Sequence, residues 1–127
     1  MKIPQGGAVI YAQDHARVAT FYEHVAGLRV SGSAKDHVVL EAGAIQLVVL
    51  RTPERIARTI TIATPPARRE NVAIKPGFFV TNLARAREAA AKFGGALNGP
   101  EREWRFEGAT VCDGCDPEGN VFQLRQR

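Results

Sequence analysis

The chain has 127 residues, 45% hydrophobic and 24% charged, with 17 lysines and arginines against 13 aspartates and glutamates for a formal net charge of +4. This is an ordinary soluble composition for one domain, long enough to bury a real core without disulfides or metals. No run approaches the roughly 18 apolar residues of a membrane span, and the first five residues lack the apolar core of a signal peptide, so a cytoplasmic protein is expected. The positive balance suits an anionic small molecule better than nucleic acid, because the basic residues interleave with acids and lack aromatic stacking platforms.

In chain order, residues 7–12 are small, β-branched or aromatic and read as a strand. Asp14 is a good N-cap, and Val18, Phe21, Tyr22 and Val25 then recur at helical spacing until Gly27 stops the helix. Residues 28–30, 37–40 and 44–50 read as three strands joined by turns containing Gly and Asp. Residues 51–71 are irregular and rich in Arg, Thr and Pro. A structureless stretch of that length is uncommon inside a compact domain, so it reads as a linker, a lid over a pocket or an arm gripping a second subunit. Within it, residues 59–62 alternate and predict a short edge strand.

The order then repeats. Residues 75–80 form a strand with Pro76 near its start, and Asn82 caps a helix with apolar positions Leu83, Ala86, Ala90 and Phe93 that ends at Gly94-Gly95. Strands follow around 104–106 and 109–112, and a last strand runs through Phe122 and Leu124. Asp14 matches Asn82, Ala16-Arg17 matches Ala84-Arg85 and Gly27 matches Gly95 at one offset of 68. Residues 44–47 correspond to residues 121–124. The reading is a single α+β domain over 1–127 made of two tandem βαβββ modules, about 5–50 and 73–127, joined by 51–72.

Cys112 and Cys115 form a CxxC pair. In an extended segment, residues three apart lie about 10 Å from each other, beyond the roughly 7 Å that a disulfide spans. Two further ligands for zinc are missing, so both are expected to be reduced strand residues. The histidines do not cluster: His15 and His24 sit on the first helix, and His37 opens a strand. No serine–histidine–acid set and no Gly-rich phosphate loop is evident.

Asp116-Pro117-Glu118-Gly119-Asn120 reads as a tight turn, with Pro117 presetting φ and Gly119 or Asn120 able to take positive φ. It throws the chain into the final strand with Gln123 on one face and Phe122 and Leu124 on the other. The turn, together with the internal repeat, resembles the vicinal oxygen chelate superfamily of glyoxalase, bleomycin-resistance and extradiol-dioxygenase proteins over nearly the whole chain. That resemblance implies a curved, mixed or antiparallel sheet with helices on its outer face and a cleft for a small ligand, often in a homodimer. It also implies, in metal-dependent members, one ligand on the first and last strand of each module.

Counted back from the helix starts, those positions fall on Gly7, Gln46, Lys75 and Gln123. None is a good ligand for a divalent cation, so no cofactor is expected. The same residues suit a polar or anionic small molecule, with Gly7 leaving space and Tyr11, Phe79 and Trp104 as apolar or stacking walls. The function expected is therefore metal-independent binding of an anionic or aromatic small molecule, by sequestration or as a lyase or isomerase. Two other readings stay open: an enzyme using Lys75 as general base or electrostatic clamp, and a structural or regulatory dimer without ligand. No nucleic-acid or membrane partner is expected.

Overall fold

A computed structural model describes residues 3–127. Strand β1 (Gly6–Ala12) leads into helix α1 (His15–Val25), then β2 (Arg29–Ala34), β3 (His37–Ala42) and β4 (Ile45–Arg51). A one-turn helix α2 (Glu54–Ala57) opens the irregular stretch. The second half comprises β5 (Gly77–Phe79), α3 (Leu83–Lys92), β6 (Ala96–Leu97), a 3₁₀ turn at Pro100–Arg102, β7 (Trp104–Phe106), β8 (Ala109–Cys115) and β9 (Val121–Gln126).

The strands form two mixed sheets, ordered β1-β4-β3-β2 and β5-β9-β8-β6, with β7 also paired to β8. In each half the first strand runs parallel to the last, β1 with β4 and β5 with β9, and the other pairs are antiparallel. The α+β architecture and its two halves thus match expectation, with β6 and β7, each paired to β8, dividing the place of one strand in the second half. Among the described residues, no helix is long and apolar enough to cross a membrane.

The helices start where their caps dictate: the Arg17 amide donates to Asp14 at 3.1 Å and the Arg85 amide to Asn82 at 3.0 Å. Their apolar stripes face a single buried cluster fed by both sheets. At its centre Phe21 and Tyr22 of α1 meet Phe122 of β9 edge-on, with ring centroids 5.7 and 5.6 Å apart, and Tyr22 also reaches Phe78 of β5. A helix of the first half is therefore held by strands of the second.

The turn between β8 and β9 completes that attachment. Glu118, 6% exposed, accepts hydrogen bonds from the amides of Gln13 and Asp14, both at 2.7 Å. Its carboxylate thus sits at the amino end of α1, where unpaired amides and the helix dipole favour negative charge. Asp116 is fully buried and accepts from the Tyr22 hydroxyl, the Glu118 and Asn120 amides and the Asn120 side chain at 2.9–3.1 Å. Burial pushes its carboxyl above the usual value, and the donors at Asn120, Glu118 and Tyr22 pull it back. The Tyr22 phenol is raised well above its ordinary value, first by burial and then by Asp116, so it stays a donor. Gly119 has φ +86°, and a Cβ there would lie 2.0 Å from the Ala67 carbonyl oxygen, so only glycine lets residues 67–69 lie on the turn.

Four details differ from the sequence reading. Residues 59–62 form no strand; the Gln13 side chain donates to the carbonyls of Ala57 and Ile60, which ties that segment to the end of β1 instead. β5 is shorter than the expected 75–80, and the two-residue β6 was not foreseen because it is too brief to show alternation. The residue with positive φ after α3 is Gly94 (φ +94°) rather than Gly95. Cys112 and Cys115 are free and buried, and burial raises both thiols above their usual value.

Replacing Glu118 with Gln should lower the unfolding free energy by about 1–3 kcal/mol, since each backbone N–H bonds a separate carboxylate oxygen and the amide would set an NH2 donor against one of them. The control Glu101→Gln, on the exposed 3₁₀ turn, should stay within about 0.5 kcal/mol. Urea titration measures both, and equal midpoints would show that the turn does not anchor α1.

Candidate functional site

A cleft of about 620 Å³ opens between β1, the edge strand of the first sheet, and β5, the edge strand of the second. Its walls are largely apolar, including Val9, Leu47, Val72, Ile74, Phe78 and Val121. Its polar side chains are Tyr11, Gln46, Asn120 and Arg69. Strand alternation explains the β1 wall: Ile10 and Ala12 point into the core, while Val9 and Tyr11 are about half exposed on the opposite face. The far wall comes from the 51–72 stretch and its continuation. The Arg69 amide donates to the Gly119 carbonyl at 2.9 Å and Arg69 bridges to Asn120, which lays this segment along the β8–β9 turn. Of the three readings left open for that stretch, these bonds fit the lid over a pocket best, in the form of a strap fixed along the cleft of its own chain.

The residues expected in one cleft lie in two groups. Gly7, Tyr11 and Gln46 line it, whereas Lys75, Gln123, Phe79 and Trp104 do not. Lys75 Nζ donates to Asp113 Oδ2 at 2.7 Å, and Gln123 Nε2 donates to Asp113 Oδ1 at 3.2 Å. Gln123 in turn accepts from Arg125 Nε at 3.0 Å. The positive charge expected from Lys75 is thus balanced by Asp113 on the open face of the second sheet. Asp113 was missed because it lies between the two cysteines, in a segment read for its thiols. Phe79 stays about half exposed beside the guanidinium groups of Arg127 and Arg125, with the nearer 4.7 Å from the ring centroid, and Trp104 pairs with Val111 across β7 and β8. The cleft residues overlooked include Val9, Leu47, Phe78 and Val121, read only as strand residues, and, outside the strands that line the cleft, Arg69, Val72, Ile74 and Asn120. Asn120 was visible only as a turn former, and the other three lie in sequence without periodicity.

Gly7 does not leave space. A Cβ there would stand 2.2 Å from the Gln46 carbonyl oxygen, so this glycine is required by the approach of two backbones. The strand register also revises the equivalence of the halves. Gly7 lies opposite Gln46 in β1–β4, and Gly77, not Lys75, lies opposite Gln123 in β5–β9. The register position lies two residues nearer the helix cap in the second half (Gly77 before Asn82) than in the first (Gly7 before Asp14), which shifts a count made from the helix starts.

Two halves that each pair a first and a last strand in parallel, packing their helices on one core and opening a cleft between their edges, define the vicinal oxygen chelate architecture. A model of the glyoxalase-like domain family matches residues 7–125, and the chain belongs to that family. Among solved structures, hypothetical protein SA1046 from S. aureus is 14% identical with a TM-score of 0.67, covering 100% of this chain and 95% of that one. A glyoxalase/bleomycin resistance protein/dioxygenase family enzyme from Burkholderia phytofirmans PsJN is 17% identical with a TM-score of 0.62, covering 94% and 95%. A lactoylglutathione lyase from Agrobacterium tumefaciens is 19% identical with a TM-score of 0.58, covering 94% and 90%. At such identities the likeness is one of fold. No curated protein sequence matches the chain.

The side chains present do not fit the divalent metal found in part of this superfamily. By register the ligand positions carry two glycines and two glutamines, which supply no anionic or imidazole donor to replace the hydration of the cation. The nearby carboxylate, Asp113, is engaged by the Lys75 ammonium. Among the described residues, no group of three or more His, Cys, Asp or Glu side chains is placed to hold a metal.

The close approach at Gly7 has a measurable consequence. Gly7→Ala should cost about 1–3 kcal/mol of stability, as overpacking against backbone does. Gly77→Ala, whose Cβ would meet the Gln123 carbonyl at 3.9 Å, should be neutral or gain up to about 1 kcal/mol. Thermal unfolding of both variants checks the pair, and equal effects would refute the asymmetry.

Proposed function

We propose that the chain acts as one domain that binds a small organic molecule, without a metal, in the cleft between β1 and β5. The observation carrying this reading is the cleft itself. Its volume of about 620 Å³ lies in the range of small-molecule sites, and it pairs an apolar wall with a few polar groups able to orient a ligand. Binding is either sequestration or the first step of a lyase or isomerase reaction; the family holds enzymes and resistance proteins alike. The Lys75 clamp is the weaker reading, because its ammonium is engaged by Asp113 and lies outside the cleft walls.

Thermal-shift screening of small aromatic and aliphatic acids tests the proposal. A compound at 100 times its Kd should stabilise the protein by about 3 kcal/mol. Val9→Trp, which fills the cleft from a half-exposed position, should abolish that gain. Gains that survive this substitution would move the site elsewhere. Elemental analysis after dialysis should find no stoichiometric zinc, nickel, manganese or iron, and retention of any of them would overturn the metal-free part.

A homodimer is part of the same proposal. The motive is that Val9, Tyr11, Phe79, Trp104 and Phe106 leave 40–56% of their surface exposed, large apolar side chains of the kind a second copy would cover. Light scattering at micromolar concentration should report twice the chain mass, and a monomer there would remove this part.

A further inference from the structure

We infer that the cleft selects amphipathic anions, and that Arg69, contributed by the strap rather than by either sheet, holds the anionic group. This rests on the reading of the cleft as a small-molecule site and adds the chemical class of its ligand.

Three observations carry the inference. Arg69 is the one formally charged side chain on the cleft wall among the described residues; the others are apolar, amide or phenol. Its guanidinium has no carboxylate within salt-bridge distance among the described residues, whereas Lys75, the cation that sequence alone recommended, is paired with Asp113. And its base is fixed: the Arg69 amide donates to the Gly119 carbonyl, and the residue bridges to Asn120, whose side chain is tied to buried Asp116.

A planar guanidinium offers paired N–H donors that match a carboxylate, sulfonate or phosphate, and such a bond is stronger beside apolar walls than in water. The Gln46 amide lies on the same wall and supplies a further neutral donor without adding charge. The remaining surface is hydrocarbon and the Tyr11 and Phe78 rings, which favour an aromatic or branched aliphatic body. An anion without such a body would forgo most of the burial, and a neutral body would forgo the charge-assisted bond to a guanidinium that is otherwise exposed to solvent.

Two fluorescent probes with the same ring system separate the parts of this argument: 8-anilinonaphthalene-1-sulfonate, an anion, and N-phenyl-1-naphthylamine, its uncharged counterpart. Titration at fixed ionic strength should give one site for the sulfonate on the wild-type protein. Arg69→Gln should weaken the sulfonate about tenfold or more, as loss of a charge-assisted hydrogen bond does, and change the neutral probe less than about twofold. Lys75→Gln should leave both within about twofold. Val9→Trp should abolish both. If Val9→Trp abolishes both probes but Arg69→Gln weakens them equally or not at all, the cleft reading stands and the anion inference fails. If Val9→Trp leaves both probes bound, the cleft reading fails and the anion inference falls with it. If Lys75→Gln, and not Arg69→Gln, selectively weakens the sulfonate, the charge has been assigned to the wrong residue and the inference is overturned.

Discussion

The contact on which the rest of the molecule depends is the grip of the Asp116–Asn120 turn on the start of α1. A carboxylate placed at a helix amino end satisfies backbone amides that would otherwise face a buried junction, and Glu118 does so for Gln13 and Asp14 at 2.7 Å. Behind it, Asp116 is a carboxylate at zero exposure, which on its own would be costly by several kcal/mol, on the order expected for a buried ion. Its donors come from α1, through Tyr22, and from the turn itself. Removing any one leaves the others around an undercompensated charge, so the turn, the helix and the aromatic cluster stand or fall together. The second helix has a neutral counterpart, the Gln126 side chain of β9 accepting from the Leu83 amide at 2.7 Å. Both helices are thus fastened by elements at the end of the chain.

That fastening also builds the cleft. Because the turn holds α1 at one end and the strap at Gly119 and Arg69, the edge of β1, the start of β9 and the strap are brought to the same place. The position of the cleft therefore follows from how the two halves are joined, while strand residues such as Val9, Gln46 and Phe78 supply much of its wall. This explains how a metal-binding superfamily can contain a chain with Gly7 and Gln46 in one half and Gly77 and Gln123 in the other. The glycine at position 7 serves backbone packing, and the glutamine at 123 joins a hydrogen-bonded chain with Asp113 and Arg125.

Much of the fold was legible because its signals are local. Asp14 and Asn82 declare helix starts, strand alternation separates Phe122 and Leu124 from Gln123, and the repeat organises the elements into halves. What escaped was long-range. No local rule tells that Asp113 meets Lys75, 38 residues away. Nor does any tell that Arg69, in a segment without periodicity, pins itself to a turn 50 residues later. Residues 59–62 show the converse error: they alternate like a strand, but they join no sheet, and the Ile60 carbonyl is taken by the Gln13 side chain. Of the site, the Gln46 and Tyr11 walls could be read from the sheet pattern, and the strap could not.

Placing charge on the strap instead of the sheet changes what the cleft can evolve toward. Groups on paired strands are held in register by hydrogen bonds and by the pleat, and a one-residue shift would turn every side chain to the opposite face. Residues 63–76 carry no such ladder; their hold on the body comes from few bonds, Arg69 to Gly119 among them. Substitutions there alter the charge and shape of the cleft wall without disturbing the core that Phe21, Tyr22 and Phe122 define. On the proposed reading of the cleft, stability and ligand choice are carried by different stretches of the chain, the first by the Asp116–Asn120 turn and the second by the segment that lies upon it.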